Sequence, residues 1–331
     1  IIAMAMPAFQ FSMFSQGMLR SSGNMLVPSI MSVVMMSLDV VFNFFLIFHT
    51  RTVDVLGVSL TLPGAGMGVV GAAIGTASAE LVAASITMYI LCFRSKELSL
   101  RIDRGRFLPT WQVVKRALHI ALPMGIQQTI MTSAYIVTTI IIAPLGTFAI
   151  AANSFGIIVE SLCYMPGYGV SDAATTLVGQ SMGAGRYELM KRFAWLSVGL
   201  GVTVMAVMGV VMYVGSPFAM AMMTPSEEVR QLGVEVLRIE AFAEPMFGAA
   251  IISYGVFVGA AKTIAPSVMN LISMWGVRIT LAAMLAPSMG LRGVWLAMCL
   301  ELTFRGVIFL VKLARFNPTP KPVSRSEGMN S

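Results

Sequence analysis

The chain is expected to be an all-α, polytopic membrane protein made of two pseudo-symmetric helical lobes. Three observations carry that expectation. Hydrophobic residues make up 57% of the chain and charged residues only 11%. The apolar runs reach the roughly twenty residues that a helix needs to cross a bilayer. Finally, residues 239–270 repeat residues 1–32: at a shift of 238 places Ala3, Ala5, Pro7, Phe9, Ser15, Gly17, Pro28, Ser29 and Met31 fall on Ala241, Ala243, Pro245, Phe247, Ser253, Gly255, Pro266, Ser267 and Met269. Proline is costly inside a helix, so two prolines recurring at one separation point to duplication. A second echo, at a shift of 222, sets MGVVGA at 67–72 on MGLRGV at 289–294. A soluble protein of this size would cover such runs with charged side chains, and these are absent.

In chain order, nine helices are expected at about 1–19, 29–48, 68–93, 118–142, 150–178, 193–214, 232–257, 267–286 and 293–315, bounded by Pro, Gly and charge. Basic residues set the orientation, because loops on the cytoplasmic side carry the excess of Lys and Arg. Arg20, the seven basic residues of 94–116, Arg186, Lys191, Arg192, Lys262, Lys312, Arg315, Lys321 and Arg325 share one side; Arg51, Arg230 and Arg292 take the other. The C-terminus is therefore expected in the cytoplasm, residue 1 outside, and the protein in the plasma (inner) membrane. The net charge of +7 follows from this bias and calls for no nucleic-acid partner.

The expected divisions are the remainder of a first lobe at 1–93, a cytoplasmic linker at 94–117, a six-helix second lobe at 118–315, and a disordered tail at 316–331. In the linker, Trp111 and Phe107 would sit at the headgroups if it holds an interfacial helix. The tail is rich in Pro and Ser. An external start at IIAMAM, with about 124 residues of the second half lacking a counterpart, suggests a parent of six plus six helices that has lost its first three.

Function is sought in ionisable residues inside the spans, each of which costs roughly 2.5 to 3.5 kcal/mol at a helix centre. Asp39 and Asn43 lie four apart and share a helix face, offering a carboxylate and an amide oxygen, hard ligands suited to Na+ or a proton relay. Glu240 and Glu244 are also four apart on one expected face, with Pro245 freeing the carbonyl of Ala241; two carboxylates that close resist ionising together, which suits a proton carrier. Counted by helical rise, Glu240 and Arg278 fall at similar depth and Glu160 slightly deeper, so the four can share one cavity, or Arg278 can simply neutralise one acid. Glu301 and Arg305 read as a structural ion pair one turn long. Asp172 is open between the interface and a site, and Glu80 has no evident partner. Cys92, Cys163 and Cys299 fall in apolar runs without metal or disulfide spacing, so no cofactor is expected.

The stretches AIAANSFGIIVESLCYMPGYGVSDAATTLVGQSMGAGR (149–186), LRSSGNMLVPS, GMGVVGAAIGTA and GLRGVWLAMCLELTFRG together resemble the multidrug and toxic compound extrusion (MATE) transporters over nearly the whole chain. That resemblance implies two six-helix lobes around a cavity that opens alternately to either side. It implies a first-lobe cation site on a fifth-helix pair, which looks like Asp39 and Asn43, and a sixth-helix threonine, which looks like Thr76. A seventh-helix glutamate used by some members is Met131 here, and Glu160, Glu240 and Glu244 are the expected replacements. The second-lobe loop departs from the family's common RGAGDT, with Val258, Ala261 and Lys262 in place of Arg, Gly and Asp.

The expected function is a secondary active antiporter, a monomer exporting amphipathic organic cations in exchange for Na+ or H+, with only such substrates and membrane lipids as partners. Cavity walls drawing on the chain's 28 Met would suit undemanding recognition, although methionine in spans also serves as lipid-facing filler. A flippase for lipid-linked saccharides shares the architecture but would favour cationic residues for phosphate, against the acidic balance here. A membrane-embedded enzyme has only His49 and His119 to draw on, and no nucleophile or paired metal-ligand motif.

Overall fold

The computed structural model describes residues 1–55, 58–95 and 110–317, and among these it is helical apart from one hairpin. The chain separates into two compact units, Ile1–Leu108 and Pro109–Ser331. In the first, α1 (Ile2–Ser21) and α2 (Leu26–Ile47) lead through an antiparallel hairpin, β1 (His49–Val55) on β2 (Val58–Ala65), to α3 (Gly68–Tyr89), which ends in π-helical turns at Ile90–Arg94. The second unit holds α4 (Trp111–Ile142), α5 (Thr147–Gly183), α6 (Tyr187–Met223), α7 (Glu227–Glu240), α8 (Glu244–Gly259) and α9 (Ile264–Leu271). It closes with π-helical turns at Ile272–Ile279, α10 (Thr280–Met289) and α11 (Leu291–Ala314).

Among the described residues seven helices are long and apolar enough to cross a membrane, and the α7–α8 pair, bent by 59°, makes an eighth. The remaining expected span, α1, is a 20-residue helix with buried Ser12 and Ser15, and is less apolar than these. Helix α4 begins at Trp111, inside the expected linker, because no Gly or Pro intervenes before Pro123, which the helix carries within it. Trp111 is exposed; Phe107, the rest of the linker at 96–109 and the tail from 318 lie outside the described residues. On α2, Val33, Met36 and Val40 are each about two thirds exposed. Helices with such faces suit lipid and not water, and every backbone polar group within a helix is satisfied internally. The chain is a multi-pass membrane protein.

In lipid, helices gain little from burying apolar surface against one another, so close backbone approach decides the packing. On α3, Gly71, Gly75, Ala79 and Ala83 recur every fourth residue and are buried; a methyl group on Gly71 would lie 2.4 Å from the Leu46 carbonyl oxygen of α2. In the second unit Gly255 and Gly259 of α8 do the same for α5. There the Ser171 hydroxyl donates to the carbonyl of Ile251 (3.0 Å) and the Thr175 hydroxyl to that of Gly255 (2.9 Å). Trp295 of α11 is fully buried against Gly156 of α5, and its indole N–H donates to Asn153 Oδ1 at 3.0 Å.

The sequence repeat is also a repeat of backbone geometry. After α1, Gly23 turns at φ +90°, and the N–H groups of Gly23 and Asn24 donate to the carbonyls of Arg20 and Leu19. After α8, Ala261 turns at φ +54°, and the N–H groups of Ala261 and Lys262 donate to the carbonyls of Val258 and Phe257, each the equivalent at a shift of 238. Holding alanine in this left-handed region costs roughly 1–2 kcal/mol. At the second shift, Gly68 and Gly290 both have positive φ (+55° and +60°) and open α3 and α11. Gly71 and Gly293 then sit against the carbonyls of Leu46 and Leu285. The shift changes because only the first copy places a hairpin between these corners; in the second, Met289 runs directly into Gly290.

Candidate functional site

The in-span polar residues form one group in each unit. Helix α2 is unbroken, so Asp39 and Asn43 do share a face, and Oδ1 of each is buried with no hydrogen-bond partner among the described residues. Helix α3 packs on that face: a methyl group at Gly75 would lie 2.4 Å from Asn43 Oδ1. Thr76, the next residue of α3, is half-buried, and Glu80 one turn further is buried. Oxygens left without donors in a low-dielectric setting are costly, and a bound cation or proton removes that cost. Gly75→Ala is expected to push the Asn43 amide aside and to destabilise the protein by about 1–3 kcal/mol. Thermal unfolding in detergent measures this; an unchanged midpoint would show that α3 can move away freely.

In the second unit the structure revises the expected placement of the acids. Glu240 ends α7 and Glu244 opens α8, so they do not share one helix face. The cause is local. Pro245 has no N–H for the carbonyl of Ala241, and the chain instead closes a tight turn in which the Ala243 N–H donates to the Glu240 carbonyl at 2.8 Å. Gly209 of α6 makes room for this break: a methyl group there would meet the Ala241 carbonyl oxygen at 2.8 Å and Glu244 Cβ at 3.1 Å. In the first copy Ile2 and Met6 occupy the equivalent positions, and α1 runs through Pro7 unbroken.

The break leaves both carboxyl groups fully buried, and none of their four oxygens has a hydrogen-bond partner among the described residues. Glu160 on α5 and Arg278 in the π-helical turns are buried nearby. Glu160 lies within the electrostatic field of Arg278, Glu244 within that of Glu160, and Glu240 within the fields of Glu160, Arg278, Glu244 and Glu301. Arg278 makes no direct ion pair with these acids among the described residues, contrary to the simplest neutralising role. The π-helical turns carry it toward α11 and α4, where its guanidinium donates to the Met298 sulfur and lies 5.8 Å from the centre of the Tyr135 ring, with Nε unpartnered. Glu301 and Arg305 do pair: the guanidinium donates to Glu301 Oε1 from Nε at 2.7 Å and from a terminal nitrogen at 2.6 Å, and the Ser273 hydroxyl adds a third bond to the same oxygen. Among the described residues, Glu160 and Glu240 thus share the field of one arginine that has no ion pair, and Glu244 lies in the field of Glu160.

A cavity of about 410 Å³ opens in this unit. Its wall includes Gln127, Gln128, Met131 and Tyr135 of α4, Tyr168 and Asp172 of α5, Tyr254 of α8, and Asn270 and Arg305. The buried acids and Arg278 do not line it; Tyr135, which does, is the link between the two, since Arg278 lies over its ring. The Tyr254 hydroxyl donates to Gln127 Oε1 at 3.3 Å and holds α8 to α4. Reading by charge passed over Gln127, Tyr135, Tyr168 and Asn270. The available signal was a pair of adjacent glutamines just after Pro123, in the uncharged part of α4.

A family model described as MatE matches residues 123–284. The chain is 26% identical over 299 residues to a probable multidrug resistance protein NorM of Thermotoga maritima, covering 89% of this chain and 61% of that protein. It is 30% identical over 203 residues to the probable NorM of Xylella fastidiosa, covering 61% of this chain and 43% of the relative. It thus spans about three fifths or less of the length of these curated relatives. A crystal structure of MATE in complex with MaL6 superposes with a TM-score of 0.80 at 18% identity, covering 93% of this chain and 66% of that one. That likeness shows the fold.

Proposed function

We propose that this chain, whose residues 123–284 match the MatE family model and whose curated relatives are named as multidrug resistance proteins, is a multidrug and toxic compound extrusion transporter that exports multiple amphipathic organic cations in exchange for Na+ or H+. The observation that carries the coupling is the buried carboxyl pair at the α7–α8 break, Glu240 and Glu244, whose oxygens have no partner among the described residues. Among the described residues Arg278, which has no ion pair, is the arginine whose field reaches Glu160 and Glu240, so the surplus charge of these two and Glu244 is met by a proton or cation from solution. An ion that binds one arrangement of the helices better than another shifts their balance, and a substrate that prefers the opposite arrangement is moved against its gradient.

Asp39, Asn43 and Thr76 form a second ion-coupling group on the same physical grounds. The protein lies in the plasma (inner) membrane as a monomer with its C-terminus in the cytoplasm, on the side where most basic residues gather. The test is efflux of a fluorescent cationic dye from cells expressing the protein, with Na+ and pH gradients imposed separately. Efflux is expected to follow one gradient and to fall at least tenfold in Glu240→Gln or Asp39→Asn. Dye export that ignores both gradients, or that survives both substitutions, would overturn the antiport reading.

A further inference from the structure

A second cavity, of about 420 Å³, lies at the end of α11, and we propose that it is a binding site for an anionic phospholipid. Lys262, Lys312 and Arg315 line it together with Met269, Ile308 and Val311, so three cations sit beside an apolar wall. None of the three cations has an ion pair or hydrogen bond from its side chain among the described residues, and no acid lines the cavity. The vertical order fits a lipid. Ile308 and Val311 come before Lys312 and Arg315 along α11, so the apolar wall precedes the charged rim as acyl chain precedes headgroup.

The internal repeat gives an independent reason to read Lys262 as more than a charge on the usual side. Its counterpart is Asn24, one residue before the N-cap Met25, whose side-chain oxygen accepts from the N–H of Val27 at 3.2 Å and so meets a free donor in the first turn of α2 as a cap does. Lysine has no acceptor and cannot cap α9. The second copy keeps the same turn and the same backbone hydrogen bonds, and holds Ala261 at φ +54° to do so. A residue that forgoes the cap and turns a third cation into a concave basic and apolar site is placed for an anion. The segments outside the described residues are basic on balance: residues 318–331 hold Lys321 and Arg325 against Glu327, and residues 96–109 carry twice as many basic as acidic residues. A phosphate on an acyl-bearing lipid meets both halves of the site, which a free phosphate cannot.

The experiment uses the purified protein in neutral detergent, titrated with phosphatidylglycerol, phosphatidylcholine or glycerol phosphate alone while thermal unfolding is followed. Phosphatidylglycerol is expected to raise the midpoint saturably, and the other two are not. Lys262→Asn, which restores the capping residue of the first copy and so preserves the fold, is expected to weaken the phosphatidylglycerol response about fivefold; adding Lys312→Ala and Arg315→Ala should weaken it by about fivefold again for each. An equal response to phosphatidylcholine, a response to glycerol phosphate alone, or variants that respond as the unaltered protein does would each overturn the proposal.

Discussion

Arg305→Met is expected to destabilise the protein by roughly 3–5 kcal/mol, the largest single effect among substitutions that leave backbone packing intact. Glu301 is fully buried on α11, and its Oε1 takes both donors from Arg305 and one from Ser273. Its Oε2 has no partner among the described residues. Removing the guanidinium leaves a buried carboxyl group with only the serine to meet it. Much of the loss is therefore the cost of stranding Glu301 and not the worth of the pair, so Glu301→Gln combined with Arg305→Met is expected to recover most of it. Unfolding in mixed detergent, followed by tryptophan fluorescence, measures both variants. A double variant as unstable as Arg305→Met would show that arginine acts through packing in the cavity wall it shares with Tyr168 and Tyr254.

Gly209→Val is expected to cost about 3 kcal/mol or more and to abolish transport even in the protein that still folds. The α7–α8 break approaches α6 so closely that a single methyl group would meet the Ala241 carbonyl oxygen and the Glu244 side chain. These are backbone and the first carbon of a buried side chain, not the far end of a flexible one, so neither yields without moving the break. Displacing it moves both acids. The control is Gly199→Val on the same helix, where nothing lies within 4 Å and only the change in helix propensity is felt. Equal stability and equal dye efflux for the two variants would remove the close-approach account of how the acids are held.

The element order was legible along the chain because it rests on local chemistry. Apolar runs of bilayer length, interrupted by Pro, Gly and charge, place most helices of the described residues within a few positions; α4 starts seven residues early, α6 runs on to Met223, and the helix expected at 232–257 is divided into α7 and α8. The duplication was legible too, down to the turns, since Gly23 and Ala261 hold one backbone conformation with the same hydrogen bonds. The site was legible only in part. Asp39 and Asn43 share a face because α2 continues, whereas the same spacing at Glu240 and Glu244 is split by a bend of 59°. Pro7 and Pro245 stand at equivalent places, yet only the second breaks its helix, so the proline cannot decide alone. What differs is the surroundings: Gly209 of α6 makes room for the turn, and the acids stand where Ile2 and Met6 stand in the first copy.

By itself, then, the sequence determined that this protein crosses the membrane many times, that its two halves share an origin, and which in-span charges demand an explanation. These follow from residue types and spacing, which act over a single turn or a single span. Tertiary structure alone decided that Arg278 meets Met298 and Tyr135 in place of an acid, and that the cavity is walled by glutamine and tyrosine while Glu160, Glu240 and Glu244 lie outside its lining. Those outcomes depend on which helix faces which, set by glycines that let backbones touch and by π-helical turns that rotate a side chain to a new neighbour.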